Sequence, residues 1–200
     1  RLLNMCCIGL VNKDDEHAPQ IIKAANCELY TYSEESKEAD FVASDIRYVS
    51  QPDFVGTEFH ISGKYDMEVR LGIPGLFNVV NALAAVSVCS FLGLDQARIS
   101  HALENIRVNG RMEIVYTSER CTVLVDYAHN AVSMESLLST LRDYKPKRLV
   151  CVFGCGGNRS KDRRYSMGEI GGKMADLSII TADNSRYEKV EDIIADIRGS

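Results

Sequence analysis

The amino-acid sequence predicts an α/β fold in which a first half rich in short strands precedes a second half built on a mostly parallel sheet. In the second half, strand-like and helix-like segments alternate from residue 122 to residue 198, which is the pattern of βαβ units. An apolar run at 149–153 ends in a cluster of glycines at 154–157, and such a run bounded by glycines indicates a buried parallel strand.

The first 71 residues contain mostly strand signals, because apolar residues occur in short runs or alternate with polar ones. The predicted strands are Met5–Val11, Cys27–Tyr32, Phe41–Ile46, Gly56–Ser62 and Met67–Leu71. A short helix is expected at 17–25. The last two strands, joined through 63–66, are expected to form an antiparallel hairpin.

Two helices follow. Residues Asn78–Leu92 are apolar at helical spacing and rich in alanine, so they predict a buried helix that ends at Gly93. Residues Asp95–Asn105 predict a second helix, polar on one side. The segment Arg107–Arg111 is the expected linker, which divides the chain into domains at 1–107 and 108–200.

The second domain is expected to have three strands, each followed by a helix. The strands are Thr122–Val125, Leu149–Phe153 and Leu177–Thr181, and the helices are Ser133–Arg142, Tyr165–Ala175 and Val190–Arg198. Polar residues follow each strand, at 125–129, 154–164 and 181–186. Because the carboxyl ends of parallel strands meet at one edge of a sheet, the three segments predict a composite binding site.

Composition excludes several classes of protein. The net charge of −5 argues against a general nucleic-acid binder, yet residues 142–164 carry eight Lys or Arg against two Asp, which suits a small anionic ligand. Seven scattered cysteines indicate reduced thiols in the cytoplasm. The sequence contains no apolar stretch of about 20 residues, so no membrane span is predicted. The chain begins on Arg1 rather than Met, which suggests a fragment.

Asp126 and His129 lie three residues apart at a predicted strand-to-helix turn. They either bind a ligand or an ion, or serve as a helix-capping Asp and a surface His. The segment Gly154–Arg164 lacks a complete dinucleotide or phosphate-loop motif, so it is either an anion site or a tight turn with a solvated basic face. Cys151 and Cys155 have no partners that would complete a zinc site, and no metal ligands are predicted.

The segment Asp183–Arg186 is either a β-turn or a guanidinium fork for a carboxylate, with Arg186 oriented by Asn184. No residue pattern suggests covalent catalysis. In the first half, Asn78 is expected to cap the apolar helix, whereas Asn81 is expected to face inward and could read a base edge. Arg111 is either a surface residue or a clamp at the domain junction.

Taken in order, five motifs resemble the Mur ligases of peptidoglycan synthesis, in particular those that add the third amino acid to UDP-MurNAc-L-Ala-D-Glu. The motifs are GLFNVVNALAA (75–85), VNGRMEIV (108–115), VDYAHNAVSMESLL (125–138), FGCGGNRSKDRR (153–164) and MGEIGGKMADLSIITADNSRYE (167–188), with VNKDDE (11–16) as a looser match. The resemblance implies the end of a central ATPase domain followed by most of a Rossmann-like carboxyl-terminal domain.

The resemblance also implies a reaction. ATP, with Mg²⁺, phosphorylates the D-Glu carboxylate, and the amine of the incoming amino acid then attacks the acyl phosphate. The residues implied for ATP binding are Asn78, Asn81, Arg111, Asp126 and His129. Those implied for the amino acid are Arg159, Asp183, Asn184, Ser185 and Arg186.

The amino acid is expected to be meso-diaminopimelate, because Arg186 offers a fork for a distal carboxylate that lysine lacks. Ser185 departs from the family pattern, which usually has proline there, and the expected effect is a looser turn. The phosphate loop, the modified lysine and the nucleotide-sugar domain of the family are not found in the sequence, so the chain by itself is expected to be inactive. The full-length protein is expected to be a cytoplasmic monomer without nucleic-acid or membrane partners.

Two alternatives remain open from the sequence. Cyanophycin-type and folylpolyglutamate-type ligases share elements like VDYAHN and GRME, although the segment Asp183–Arg186 argues against them. The protein could instead be a Mur-like protein that binds a ligand without catalysis.

Overall fold

A computed structural model of the chain describes residues 2–51 and 53–199. The chain folds into two compact units, Arg1–Val125 and Asp126–Ser200. None of the described helices is both long and apolar enough to cross a membrane.

In its described residues the first unit contains seven strands and three α-helices, preceded by a 3-10 turn at Leu2–Met5. In chain order the elements are β1 (Ile8–Asn12), α1 (Ala18–Ala24), β2 (Glu28–Ser33), β3 (Phe41–Ser50), β4 (Val55–Gly63), β5 (Met67–Leu71), α2 (Leu76–Phe91), α3 (Gln96–Asn105), β6 (Glu113–Thr117) and β7 (Thr122–Val125). The first five strands form one sheet in the order β1-β2-β3-β4-β5.

This five-stranded sheet is mixed. Strands β1, β2 and β3 are parallel, whereas β3, β4 and β5 are antiparallel, so the expected hairpin of β4 and β5 is confirmed. Helix α2 packs against the sheet and buries Val79, Leu83 and Val86 among Phe59 and Ile61. The predicted buried helix is therefore buried on one face only, since Leu76, Phe77 and Val88 are exposed.

Helix α2 ends at Phe91, just before Gly93 as predicted, and Gly93 has a φ of 69°. The Gly93 N–H donates to the carbonyl of Ser90, and the Leu94 N–H donates to that of Cys89. This pair of bonds is the Schellman arrangement, which requires a left-handed residue and therefore favours glycine.

Strand β6 was not predicted, and it changes the expected topology. It pairs with β7 in an antiparallel ribbon whose register shifts between Ile114 and Tyr116. The expectation that β7 would join a parallel sheet is therefore wrong for the described residues. The segment that follows β7 accordingly does not share a sheet edge with those that follow the other two strands.

The second unit contains α4 (Ala131–Asp143), β8 (Val150–Phe153), α5 (Lys161–Met174), β9 (Leu177–Ile180) and α6 (Val190–Arg198). Strands β8 and β9 are parallel, as the alternating pattern predicted, and α5 connects them. One compact cluster forms the core, with residues from α4, α5 and α6 (Met134, Leu138, Met167, Ile193 and Ile197). The α/β fold class is thus confirmed.

Helix α5 begins four residues before its predicted start at Tyr165. Arg163 and Arg164 therefore lie on the helix and not in the loop after β8. On this helix Arg164, Met167 and Gly171 are buried, which is the spacing of one helical face. The interpretation of the whole basic segment as a solvated face is therefore wrong for Arg164.

Candidate functional site

The segments that follow β8 and β9 lie against each other. A Cβ built on Gly157 would lie 1.9 Å from the carbonyl oxygen of Ser185, and one on Gly154 would lie 2.4 Å from that of Thr181. Any other residue at these positions would collide with backbone. The glycines therefore allow two backbone segments to approach each other.

Hydrogen bonds fix this contact. The Gly157 N–H donates to the carbonyl of Asn184 over 2.8 Å, and the Arg186 guanidinium donates to the carbonyl of Gly157 over 2.6 Å. The Tyr187 N–H donates to the Asn158 side-chain oxygen over 3.2 Å. Arg186 is thus oriented by the Gly157 carbonyl and not, as expected, by Asn184, which is exposed and contributes its backbone.

The predicted β-turn lies two residues later than expected. The Glu188 N–H donates to the carbonyl of Ser185 over 3.0 Å, so the turn spans Ser185–Glu188. That bond involves only the carbonyl of Ser185 and does not depend on a proline. Asp183 lies ahead of the turn and is exposed.

Two residues at this contact have left-handed backbone without being glycine. Asn158 has a φ of 53° and Arg186 has a φ of 51°. Such conformations cost roughly 1–3 kcal/mol each and persist only where the surrounding structure enforces them. Their occurrence on both sides of one contact marks it as a candidate functional site.

Two arginines of the predicted amino-acid set lie on this pair of segments. Arg159 is exposed, and its side chain makes no hydrogen bond or ion pair within residues 2–51 and 53–199. Arg186 is exposed and uses one guanidinium nitrogen for Gly157. A guanidinium has five N–H donors, so both side chains retain donors for a carboxylate.

A third arginine was missed by the sequence analysis. Arg164 is only 1% exposed, and it donates to Glu188 over 2.7 Å and to Asp196 over 2.8 Å. The hydrogen bond to Glu188 raises the pKa of Arg164 above its ordinary value. In turn, Arg164 lowers the pKa of both carboxylates.

These lowered pKa values predict acid sensitivity of the second unit. Glu188 and Asp196 have ordinary pKa values of 4.5 and 3.8 and lower ones when folded. The stabilisation is therefore complete above the ordinary values and is lost as the pH falls through the lowered ones. Thermal melts between about pH 7 and pH 2 should show this loss. The loss should be smaller in Asp196→Asn and unchanged in Asp192→Asn, and equal losses in both variants would contradict the assignment.

Two residues on α2 that were expected to bind the nucleotide are placed differently from expectation. Gly75 and not Asn78 is the N-cap of the helix, and the Asn78 side-chain amide donates to the carbonyl of Pro74 over 2.7 Å. Asn81 is exposed rather than inward-facing, so its amide is accessible. Arg111 is also exposed, in a turn where its N–H donates to the carbonyl of Val108.

Asp126 does not cap α4. That role belongs to Asn130, whose side chain accepts from the Ser133 N–H over 2.9 Å within a capping box. The half-buried Asp126 accepts from the Ala128 N–H over 2.8 Å, which shapes the turn before the helix. His129 is exposed, and its Nδ1 lies 3.1 Å from the carbonyl of Tyr127. Because a carbonyl can only accept, neutral His129 carries its proton on Nδ1 and presents Nε2 as an acceptor.

Among the residues that the structure describes, no group of three or more His, Cys, Asp or Glu side chains could hold a metal ion. Burial raises the pKa of the Cys151 and Cys155 thiols. Metal ligands and nucleophiles are thiolates, so a raised pKa disfavours both roles. Cys155 instead packs its Sγ 3.8 Å from the Sδ of Met167 in the core.

Comparisons with known proteins agree with the motif pattern. Residues 2–89 match the Mur ligase middle domain, and residues 110–200 match the glutamate ligase domain of Mur ligases. A UDP-N-acetylmuramoyl-L-alanyl-D-glutamate–2,6-diaminopimelate ligase of Clostridium acetobutylicum is 40% identical over 198 residues, and the match covers 98% of this chain. The corresponding ligase of Alkaliphilus oremlandii is 40% identical over 191 residues.

Solved structures give the same result. A UDP-N-acetylmuramoyl-L-alanyl-D-glutamate–2,6-diaminopimelate ligase superposes with a TM-score of 0.73 at 31% identity and covers 98% of this chain and 41% of its own. Folylpolyglutamate synthase of Thermotoga maritima superposes with a TM-score of 0.75 at 19% identity, which shows a shared fold alone.

The curated relatives are longer than this chain, which spans 40% of the Clostridium acetobutylicum ligase and 38% of the Alkaliphilus oremlandii ligase. The two family matches together account for most of the residues, and they occur in the order middle domain, then glutamate ligase domain. The chain therefore belongs to the Mur ligase family, with residues 2–89 matching its middle domain and residues 110–200 its glutamate ligase domain.

Proposed function

We propose that the protein that carries this chain is an ATP-dependent ligase that adds meso-diaminopimelate to UDP-MurNAc-L-Ala-D-Glu in peptidoglycan precursor synthesis. The observation that carries the proposal is the arrangement of Arg186, an exposed guanidinium tethered to the Gly157 carbonyl beside the loop of Arg159. Two arginines with free donors suit the carboxylates of an amino acid. The names of the relatives at 40% identity support the same substrate.

Arg186 has the central role in this proposal. Its tether to Gly157 limits the rotation of the guanidinium, so less entropy is lost when a carboxylate binds. Arg159, on the neighbouring loop, is proposed to contact a carboxylate of the same amino acid. The exposed Asp183 and Asn184, with Ser185, are proposed to complete the pocket, where an acidic side chain suits the cationic ammonium of the ligand.

The nucleotide is proposed to bind at the residues that the motif pattern implied for ATP. Asn81, with an exposed amide, is a better candidate for the adenine than Asn78, whose amide is engaged by Pro74. Arg111 is proposed to contact the phosphates. Asp126 and His129 are proposed to lie near the ribose and the phosphates. ATP supplies the phosphoryl group that activates the D-Glu carboxylate, and magnesium is usually held by few carboxylates together with the substrate phosphates.

We also propose that the two sequence domains divide between residues 107 and 108, whereas the compact units of the structure divide between Val125 and Asp126. The interval between the two family matches, 90–109, supports this boundary. The full-length protein is proposed to act as a cytoplasmic monomer.

The proposal is tested by phosphate release from the full-length protein with ATP and UDP-MurNAc-L-Ala-D-Glu. The rate should be high with meso-diaminopimelate and at least about 100-fold lower with L-lysine, because lysine has no distal carboxylate for a charged hydrogen bond. Equal rates with the two amino acids would contradict the substrate assignment. Phosphate release with folate and glutamate instead would favour the folylpolyglutamate-type alternative.

A further inference from the structure

Arg164 is the most buried charged residue among those described, and the proposed reaction does not use it directly. Its guanidinium reaches both Glu188 and Asp196, while its Nε has no hydrogen-bond partner in the part of the chain that the structure describes. A buried ion pair gains little stability over an apolar contact of similar size, so such a pair suggests that one conformation is being specified.

The two carboxylates connect Arg164 to different parts of the unit. Asp196 lies on α6 and also pairs with Lys161 of α5, so it joins two helices. Glu188 closes the turn that carries Arg186, and its carboxylate also accepts a hydrogen bond from the Asn158 N–H. Through Glu188, Arg164 is therefore linked to the contact between the segments after β8 and β9.

The residues joined by Glu188 flank the proposed ligand-binding arginines. Asn158 precedes Arg159, and Glu188 lies two residues after Arg186. Asn158 and Arg186 are also the two residues with left-handed backbone at this contact. A fixed Glu188 carboxylate holds Asn158 in that conformation, because the charged acceptor is aimed at its N–H.

We propose that Arg164 is a positioning residue of the amino-acid site: acting through Glu188, it sets the separation of the two backbone segments that carry Arg159 and Arg186. This inference rests on the proposed function. Arg164 touches no substrate, and its effect is on affinity for the dicarboxylic amino acid rather than on ATP. A role limited to joining α5 and α6 would instead make Asp196 of α6, and not Glu188 of the preceding turn, the partner that matters.

The chain offers a matched pair of variants that separates these roles. Glu188→Gln and Asp196→Asn each remove one charged partner of Arg164, but only Glu188 contacts Asn158. In the full-length protein, Glu188→Gln and Arg164→Met should raise the KM for meso-diaminopimelate about 10-fold and leave that for ATP within about 2-fold. Asp196→Asn should leave both KM values within about 2-fold.

A second readout does not depend on activity. Hydrogen exchange at the amides of Gly157 and Asn158 should be faster in Glu188→Gln than in the wild type and unchanged in Asp196→Asn. Equal KM shifts in the two variants, or unchanged exchange in Glu188→Gln, would overturn the role of Arg164. Should Arg164→Met fail to fold, the variants Glu188→Gln and Asp196→Asn still distinguish the positioning role from the helix-joining role. A wild-type protein without a preference for meso-diaminopimelate would instead overturn the proposed function and the ligand assigned here.

Discussion

Replacement of Arg186 by alanine is expected to raise the KM for meso-diaminopimelate by about 30- to 100-fold, equivalent to roughly 2–3 kcal/mol, which is the value of a hydrogen-bonded charge pair. The change removes the guanidinium that the Gly157 carbonyl orients. The KM for ATP should change by less than about 2-fold, because Arg186 is assigned to the amino acid alone. Steady-state kinetics of the full-length protein measure both constants.

Two further variants make this experiment specific. Arg186→Lys retains the charge but loses the planar fork, so it should recover only part of the affinity. Arg198→Ala removes an exposed arginine at the end of α6 and should behave as the wild type. Equal increases in the KM for ATP and for the amino acid in Arg186→Ala would show that Arg186 supports the fold rather than the ligand.

Replacement of Gly157 by alanine is expected to destabilise the second unit by about 3–4 kcal/mol, the sum of overpacking and the loss of hydrogen bonds at the contact. The added Cβ would lie 1.9 Å from the carbonyl oxygen of Ser185 and 2.6 Å from its carbon, both backbone atoms. The two segments must separate, so the bonds of Gly157 to Asn184 and Arg186 are lost. Urea denaturation measures the change in the free energy of unfolding.

Gly172 provides the matched control. It lies within α5, and a Cβ built there has no neighbour within 4 Å among residues 2–51 and 53–199. Gly172→Ala should therefore stabilise the protein by about 0.5–1 kcal/mol, because alanine loses less backbone entropy than glycine in a helix. A Gly157→Ala variant as stable as the wild type would mean that the two segments are not locked together.

The elements predicted best from the sequence are those determined by local pattern. Helix α2 and its end at Gly93 follow from helical spacing and from a glycine that alone favours the left-handed conformation. The hairpin of β4 and β5 follows from alternation on both sides of a short turn. In these cases the residues that decide the structure are close in sequence.

The sequence-based predictions were wrong where the structure depends on residues that are distant in sequence. Strand β6 is stabilised by pairing with β7 across a register shift, which no local pattern shows. Arg164 looked like a surface residue because its partners, Glu188 and Asp196, lie 24 and 32 residues away. Had α5 been predicted from Ser160, the spacing of Arg164 and Met167 would have placed the arginine on the buried face.

The site residues likewise include some that local motifs predict and some that depend on distant contacts. The motif order identified Arg159 and Arg186 as candidates, and the structure brings their segments together. The sequence did not reveal that the Gly157 carbonyl, rather than Asn184, orients Arg186. It also placed Asn81 inward, because an apolar helix with Val79, Ala82 and Leu83 nearby gives little indication of which side is exposed.

The central claim, that the protein joins meso-diaminopimelate to UDP-MurNAc-L-Ala-D-Glu, is tested most directly by the product itself. The full-length protein is incubated with ATP, magnesium, the nucleotide dipeptide labelled with ¹⁸O in the D-Glu side-chain carboxylate, and meso-diaminopimelate, and the products are analysed by mass spectrometry. The account predicts a UDP-muramyl tripeptide with one diaminopimelate residue and one ¹⁸O atom in the released phosphate. An unchanged nucleotide dipeptide, or tripeptide formation without transfer of ¹⁸O to phosphate, would contradict it.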